Sequence, residues 1–228
     1  MALHVLVTGG NRGLGLELVR QYLEAGWSVT ATCRSPHESD ALKALDARVE
    51  QLDMRETSSF PRFAERLAGA PIDLLVNNAG VYGARGPAQV LPTLDVPSWL
   101  DTVLVNAIAP IKLTEALLPN LQNAAAPKAI FISTDMASFS VDTGGGEYIY
   151  RSSKAALNSA VRLLAMDLVP KGITVAALHP GWVHTDMGGP NAPLSPRTSV
   201  EGMRAVIDRL ASPSGPSFLN YDGRPIGW

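Results

Sequence analysis

A short β-rich run, His4 to Thr8, passes directly into Gly9-Gly10-Asn11-Arg12-Gly13-Leu14-Gly15, and a helical stretch opens at Gly13. Glycines at these positions let the backbone turn tightly and approach a pyrophosphate closely. The N-terminus of the following helix supplies free N–H groups and a partial positive charge. Strand, glycine loop and helix in that order form a dinucleotide cradle. A Gly-rich loop alone is a weak signal, because turns are often Gly-rich; the position between strand and helix gives it weight. Gly9, Asn11, Arg12, Gly13, Leu14 and Gly15 are therefore candidate cofactor contacts.

The alternation continues along the chain. The first helix runs to Ala25 and is ended by Gly26; strands are predicted over Trp27 to Cys33 and Arg48 to Leu52, with a weak helix over Asp40 to Leu45 between them. Ser58 to Leu67 reads as helix and Ile72 to Val76 as an apolar strand that stops at Asn77-Asn78. Gly80 to Pro97, rich in Gly and Pro, reads as surface loop. Ser98 to Leu121 carries helical periodicity, with Ser98 as a candidate N-cap and Pro110 expected to kink or divide it. Further strands are predicted over Ala129 to Ser133, Ile173 to Leu178 and, at an edge, Ser217 to Asn220. Further helices are predicted over Glu147 to Val169 and Val200 to Leu210, with an irregular region over Gly181 to Ser199.

Strands alternating with helices give an α/β fold: a Rossmann-like, doubly wound parallel sheet of about seven strands with helices on both faces. A length of 228 residues suits one substantial core, so residues 1–228 are expected to form a single dinucleotide-binding catalytic domain. In such sheets ligands sit beyond the carboxyl ends of the strands. The informative residues gather there: Thr8 to Gly15, Cys33-Arg34, Asp53, Asn77 to Gly80, Ser133-Thr134 and His179 to Thr185.

A net charge of -2 argues against nucleic acid or an anionic membrane as the main partner. No apolar stretch is long and uncharged enough to span a bilayer. The one cysteine, Cys33, cannot form an internal disulfide, and His179 and His184 lack partners at metal-ligand spacing, so no metal is expected. The first strand begins too early for a signal peptide, and the cytoplasm is the default compartment.

Tyr150 and Lys154 stand one helical turn apart in Y-R-S-S-K. A phenol has a free pKa of about 10, and a cation on the same helical face favours the phenolate. A proton donor and a dinucleotide site in one chain suggest hydride transfer to a carbonyl, or its reverse. Strand two ends in Thr32-Cys33-Arg34 without the acid that would read a ribose 2′-hydroxyl. Arg12 and Arg34 instead favour a 2′-phosphate, hence NADP(H) over NAD(H). Solvated surface charge is the plain alternative for both. Asp53 ends strand three and is expected to bond the adenine amino group, with Met54 in backbone contact; a turn or cap role is the alternative.

These motifs resemble the short-chain dehydrogenase/reductase family across nearly the full length. They are T-G-G-N-R-G-L-G, L-D-M at Leu52 to Met54, N-N-A-G at Asn77 to Gly80, V-N-A at Val105 to Ala107, Y-R-S-S-K, and H-P-G-W-V-H-T-D-M-G-G at His179 to Gly189. The tail resembles the branch containing C-factor and the sniffer-type carbonyl reductases. That resemblance implies NADP-linked reduction of a small ketone, aldehyde or quinone by a homodimer or homotetramer, with Ser98 to Leu121 and Glu147 to Val169 as the dimer face. It implies a catalytic group of Asn106, Thr134, Tyr150 and Lys154. Thr134 stands where the family has serine, and it is favoured over Ser133 because adjacent strand residues face opposite sides. The family also implies that Lys154 holds the nicotinamide ribose and that Asn106 positions a water. Asn77, Ala79, Gly80, Pro180, Gly181, Val183 and Thr185 would complete the cofactor site, Val183 and Thr185 at the carboxamide. Asn78 is expected to tie neighbouring strands.

Residues 187–199, with two glycines and three prolines, are expected to fold over substrate or to stand as an ordered loop. Ala137 to Gly146 is expected to share substrate choice with them. Trp182 and Met187 suggest an apolar wall, Tyr148 reads as packing, and Asp135 and Asp186 as solvated or capping groups. The threonine in the serine slot keeps open a rival reading, a dinucleotide-binding signalling protein with little turnover.

Overall fold

In the computed structural model, which describes residues 2–141 and 144–228, seven parallel strands form one sheet in the order β3-β2-β1-β4-β5-β6-β7. In chain order the elements begin with β1 (His4–Thr8), α1 (Gly13–Glu24), β2 (Ser28–Cys33), α2 (Asp40–Lys43), β3 (Arg48–Gln51), α3 (Phe60–Arg66) and β4 (Leu74–Asn77). They continue with α4 (Val96–Val103), α5 (Ala109–Ala116), α6 (Leu118–Gln122), β5 (Lys128–Ile132), α7 (Tyr148–Leu168), β6 (Thr174–His179), α8 (Pro196–Arg209) and β7 (Ser217–Asn220).

The central strands are apolar on both sides because both faces are covered. Within those runs a period of two still sorts the side chains. Leu6, Leu75, Ala129 and Phe131 join Phe63, Leu113, Leu157 and Val161 of α3, α5 and α7. Val5, Val7, Val76 and Ile130 join Leu18, Tyr22, Met203 and Val206 of α1 and α8 on the other face. Strand order reverses between β1 and β4, which pair through Val5–Leu74, Leu6–Leu75 and Val7–Val76. The crevice beyond their carboxyl ends is where such a sheet takes a ligand.

Three helix boundaries differ from the sequence expectation. Asp95, not Ser98, caps α4: its carboxylate accepts from Ser98 N–H at 3.1 Å, and Pro97 fits the first turn, where no N–H is needed. Ser98 Oγ accepts instead from Ala84 N–H at 2.8 Å. The long helix is interrupted by a π-helical turn, Leu104–Ile108, one turn before Pro110. The last helix starts at Pro196 rather than Val200, because Ser195 Oγ accepts from Thr198 N–H at 3.0 Å and Pro196 occupies the first turn. The final four residues of the 187–199 segment are therefore helical.

Among the described residues no helix is long and apolar enough to cross a membrane, and no group of three or more His, Cys, Asp or Glu is placed to hold a metal ion. Replacing Asp95 with alanine is expected to lower stability by about 1 kcal/mol through loss of the α4 cap. Denaturant unfolding of Asp95→Ala and wild type at neutral pH measures the difference.

Candidate active site

Thr8 and Asn78 set the floor of the crevice. Thr8 Oγ1 accepts from the N–H groups of Asn78 and Ala79, both at 3.0 Å. The Asn78 amide donates to the carbonyls of Thr8 at 2.8 Å and Gly9 at 3.2 Å, so it ties the ends of β1 and β4. Gly15 sits so close beneath this turn that a Cβ there would lie 2.0 Å from the Gly9 oxygen. Gly9 and Gly13 have φ of +68° and +54°, the left-handed region that glycine enters without a steric penalty.

The resulting cavity has a volume of about 790 Å³ and runs from Arg34 to Tyr150. Gly9, Asn11, Arg12, Gly13, Leu14 and Gly15 line one side. Asp53 and Met54 line the far end, Ala79 and Gly80 the floor, and Pro180 and Thr185 the opposite wall. Asp53 also closes its own turn, its carboxylate accepting from Arg55 N–H at 2.9 Å. Asn77 does not face this cavity: its amide donates to Thr114 Oγ1 on α5 at 3.3 Å, and Asn78 lines the crevice in its place. Gly181 and Val183 also stand back from the cavity wall, Val183 buried in a bridge to Leu194.

Arg34 is exposed at the end of β2 and has no ion-pair partner among the described residues. Arg12 reaches across the crevice, its guanidinium 2.7 Å from the Asp186 carboxylate. Asp186 is solvated, as expected, its side chain 78% exposed, and it also pairs with Arg12. Arg85 donates to the Asp186 carbonyl at 3.2 Å, adding a second tie to the segment after β6.

At the inner end the π-helical turn carries Asn106. Its amide oxygen accepts from Val81 N–H at 2.8 Å, and its amide nitrogen donates to the Val81 carbonyl at 2.8 Å and to Ser153 Oγ at 2.9 Å. The wider turn and the missing N–H of Pro110 leave this helix short of one backbone donor. Lys154, one turn along α7 from Tyr150, donates from Nζ to the Ile132 carbonyl at 2.7 Å. Gly80 is the close neighbour of this group: a Cβ there would stand 3.2 Å from Asn106 Oδ1 and 3.5 Å from Lys154 Nζ. Tyr150 and Lys154 are both buried and both line the cavity.

Their electrostatics depart from the sequence expectation. Burial pushes the Tyr150 phenol well up, with Tyr82 and Asp135 adding to the rise. Burial also brings the Lys154 ammonium down to about 8. Burial dominates both shifts, and the Lys154 ammonium, turned to the Ile132 carbonyl, does not draw the phenol down as expected. A neutral phenol thus stands beside an ammonium that titrates at about 8.

Ser133 and Thr134 are both buried; Ser133 is among the residues that line the cavity with Tyr150 and Lys154, and Thr134, favoured on sequence grounds, is not. Ser133 Oγ donates to Asn158 Oδ1 on α7 at 2.6 Å. Thr134 Oγ1 accepts from Met136 N–H at 3.3 Å and donates to Asp135 Oδ1 at 3.2 Å.

Two residues in this region escaped the sequence reading. Tyr82 lays its ring on Tyr150, centroids 4.6 Å apart and planes 23° from parallel. Burial, followed by the nearby Glu147 carboxylate, pushes the Tyr82 phenol up to about 12. Gln89 joins the same loop to α7: it accepts from Tyr150 N–H at 3.0 Å and donates to the carbonyls of Tyr82 at 2.9 Å and Ala84 at 2.6 Å. A Tyr and a Gln in a Gly- and Pro-rich stretch gave no periodic signal that would mark them. Of Ala137 to Gly146, Asp142 and Thr143 lie outside the described residues. Trp182 is exposed and donates from Nε1 to the Gly188 carbonyl at 2.8 Å. Met187 lines the cavity mouth.

The buried lysine makes stability depend on pH. Its folded pKa of about 8 lies below its unfolded value of roughly 10.4. The unfolded state binds more protons between these values, so stability rises with pH across that window. Chemical unfolding of the nucleotide-free protein from pH 7 to 10 is expected to show that rise, and Lys154→Met is expected to flatten it.

The description short chain dehydrogenase belongs to a family model that matches residues 3–193. C-signal of Myxococcus xanthus is 42% identical over 166 residues, 73% of this chain and 98% of its own length. Carbonyl reductase Sniffer of D. melanogaster superposes with a TM-score of 0.93 at 33% identity, covering all of both chains. An NADPH-bound carbonyl reductase from chicken fatty liver superposes at 0.88, also at 33% identity and full coverage of both.

Proposed function

The chain belongs to the short-chain dehydrogenase family, an oxidoreductase family, and on that premise we propose that it is an NADPH-dependent carbonyl reductase. Its substrates are small ketones, aldehydes or quinones. The observation that carries this reading is that Tyr150 and Lys154 line the same cavity as the glycine loop. The NADPH-bound carbonyl reductase among the structural neighbours supports the choice of cofactor. So do the chain's own residues: the glycine loop lines the cavity with Gly9 and Gly13 in the left-handed region, and Arg34 lines it without an ion-pair partner among the described residues.

When bound, the nicotinamide supplies the hydride. Arg12 and Arg34 hold the 2′-phosphate, and Asp53 and Met54 flank the adenine. Gly9 to Gly15, Ala79 and Gly80 give close backbone contact, and Thr185 with the Pro180–Val183 turn bounds the nicotinamide end. Tyr150 donates its proton to the carbonyl oxygen as charge develops there, a role for which a neutral phenol is the competent form. Lys154 returns a proton to Tyr150 and holds the ribose. Asn106 keeps the Gly80–Val81 turn and α7 in register for that transfer. Thr134 offers a hydroxyl to the same oxygen. Tyr82, stacked over Tyr150, forms the aromatic wall that substrate must meet. Residues 187–195 form the outer cover of the substrate side, tied down by the Arg85 bond to the Asp186 carbonyl.

The exposed apolar residues Leu100 and Ile108 along the α4–α5 helix, with Leu163 and Met166 on α7, support a homo-oligomer through these helices. A cytoplasmic setting and the absence of nucleic acid, membrane and metal partners complete the reading.

A second reading has its own support. The similarity to C-signal, with threonine in the serine slot, favours a dinucleotide-binding signalling protein with little turnover. Tyr150→Phe separates the two. The reductase reading expects turnover with a carbonyl panel to fall by at least about 100-fold while NADPH binding, followed by nucleotide fluorescence, persists. Ready NADPH oxidation by Tyr150→Phe would defeat it. Asp186→Asn releases Arg12 from its ion pair and is expected to tighten NADPH several-fold with little change for NADH, measured by titration calorimetry.

A further inference from the structure

The chain between β4 and α4 is rich in Gly and Pro, yet its first residues are gripped one after another. Val81 gives both backbone groups to Asn106. Gly83, with φ of +81°, lies so close to α4 and α7 that a Cβ there would stand 2.5 Å from Thr102 Oγ1 and 2.9 Å from Ile149 Cγ2. Ala84 donates its N–H to Ser98 Oγ at 2.8 Å. The carbonyls of Tyr82 and Ala84 are both taken by one side chain, Gln89, whose Nε2 donates to them at 2.9 and 2.6 Å.

Gln89 is buried at the end of a short 3₁₀ turn, Gly86–Gln89. Its oxygen accepts from the N–H of Tyr150 at 3.0 Å, 61 residues along the chain. That N–H belongs to the first turn of α7, where a backbone donor has no partner within the helix and is commonly met by the side chain of the preceding residue. Here the preceding residue is Glu147, with φ of +50°, and its side chain makes no cap bond among the described residues. Gln89 thus supplies from another loop the cap that α7 lacks, at the residue that carries the phenol. The two residues whose backbones it joins also stack their rings, centroids 4.6 Å apart and planes 23° from parallel. Two donors and an acceptor on one side-chain end are what a primary amide offers, and what a carboxylate or thioether of that length does not.

We propose that Gln89 is a positioning residue: its one amide joins the backbone of Tyr82 to the backbone of Tyr150, holds their rings in register and so fixes the direction in which the Tyr150 hydroxyl meets a substrate. The inference deepens the carbonyl reductase reading and rests on it for its catalytic meaning. Loss of the amide leaves a buried N–H and two carbonyls without their partner, and the Tyr82 ring is then free to leave the phenol.

The test begins with a measurement independent of turnover. A fluorinated tyrosine is placed at position 82 of the full-length protein, and its ¹⁹F resonance reports the ring current of Tyr150. Tyr150→Leu gives the reference position with that ring removed. Gln89→Met, close in length but without the amide, is expected to move the resonance at least half of the way to this reference. Gln89→Glu keeps the acceptor for Tyr150 and removes the donors to Tyr82 and Ala84; it carries the same expectation should Gln89→Met fold poorly. In turnover with a carbonyl panel, kcat of Gln89→Met is expected to fall by about 10-fold with the KM for NADPH unchanged. Tyr82→Leu is expected to show a similar loss, and the double variant no further loss, because both changes break one contact. A wild-type ¹⁹F resonance in the folded Gln89 variants, or kcat losses that add in the double variant, overturns the proposal. A displaced resonance in a protein without carbonyl turnover upholds the clamp and defeats the reductase reading alone.

Discussion

The turn where β1 and β4 end is the constraint on which the site depends. One threonine hydroxyl and one asparagine amide join these two strand ends at the point where strand order reverses. That clamp fixes the glycine loop on one side and the exit of β4 on the other. Because Gly80 and Val81 leave β4 from there, the clamp also places the carbonyl and N–H of Val81 that Asn106 grips. Asn106 in turn holds Ser153, whose neighbour in α7 is Lys154. The phosphate end and the chemical end of the crevice are thus connected by one run of hydrogen bonds through buried or half-buried groups, which is how a rigid scaffold holds a site in register.

The inner end is dry, and dryness decides its chemistry. Burial raises the phenol, which stays neutral, and lowers the ammonium to about 8, so that it is still mostly charged at neutral pH but gives up its proton more easily than a free lysine. A neutral phenol is a proton donor. Developing charge on a substrate oxygen changes this balance, because an anion in a water-poor cavity draws its stabilisation from the few donors at hand. In the proposed reading Tyr150 and Lys154, which line the cavity, are those donors. Tyr82 stacks on the phenol and adds to the rise that burial causes.

The layer architecture was legible in the sequence because apolar runs and glycine or proline breaks alternate along the chain. His4–Thr8 and Ser217–Asn220 match the expected strands residue for residue. The caps at Asp95 and Ser195 were missed for one reason: a proline in the first turn reads as a helix breaker until its position relative to the cap is known. The π-helical turn at Asn106 left no periodic trace distinct from a proline kink. Within the site, the glycine loop and Y-R-S-S-K were readable as spacings along one element. The Arg12–Asp186 pair, the Tyr82–Tyr150 stack and the Thr134–Asp135–His179 group were not, because each joins residues from separate loops or strands. Burial was likewise invisible, and it reversed the expected direction for Tyr150.

The central claim is spatial: the hydroxyl of Tyr150 and the amine of Lys154 meet at the reactive ring of a bound coenzyme. A crystal structure of the protein with NADP and an unreactive carbonyl analogue tests it most directly. The account predicts the analogue carbon about 3–3.5 Å from nicotinamide C4, its oxygen within hydrogen-bond reach of Tyr150 Oη, and the 2′-phosphate on Arg34. A nicotinamide ring lying away from Tyr150, or a nucleotide seated outside the crevice, would contradict it.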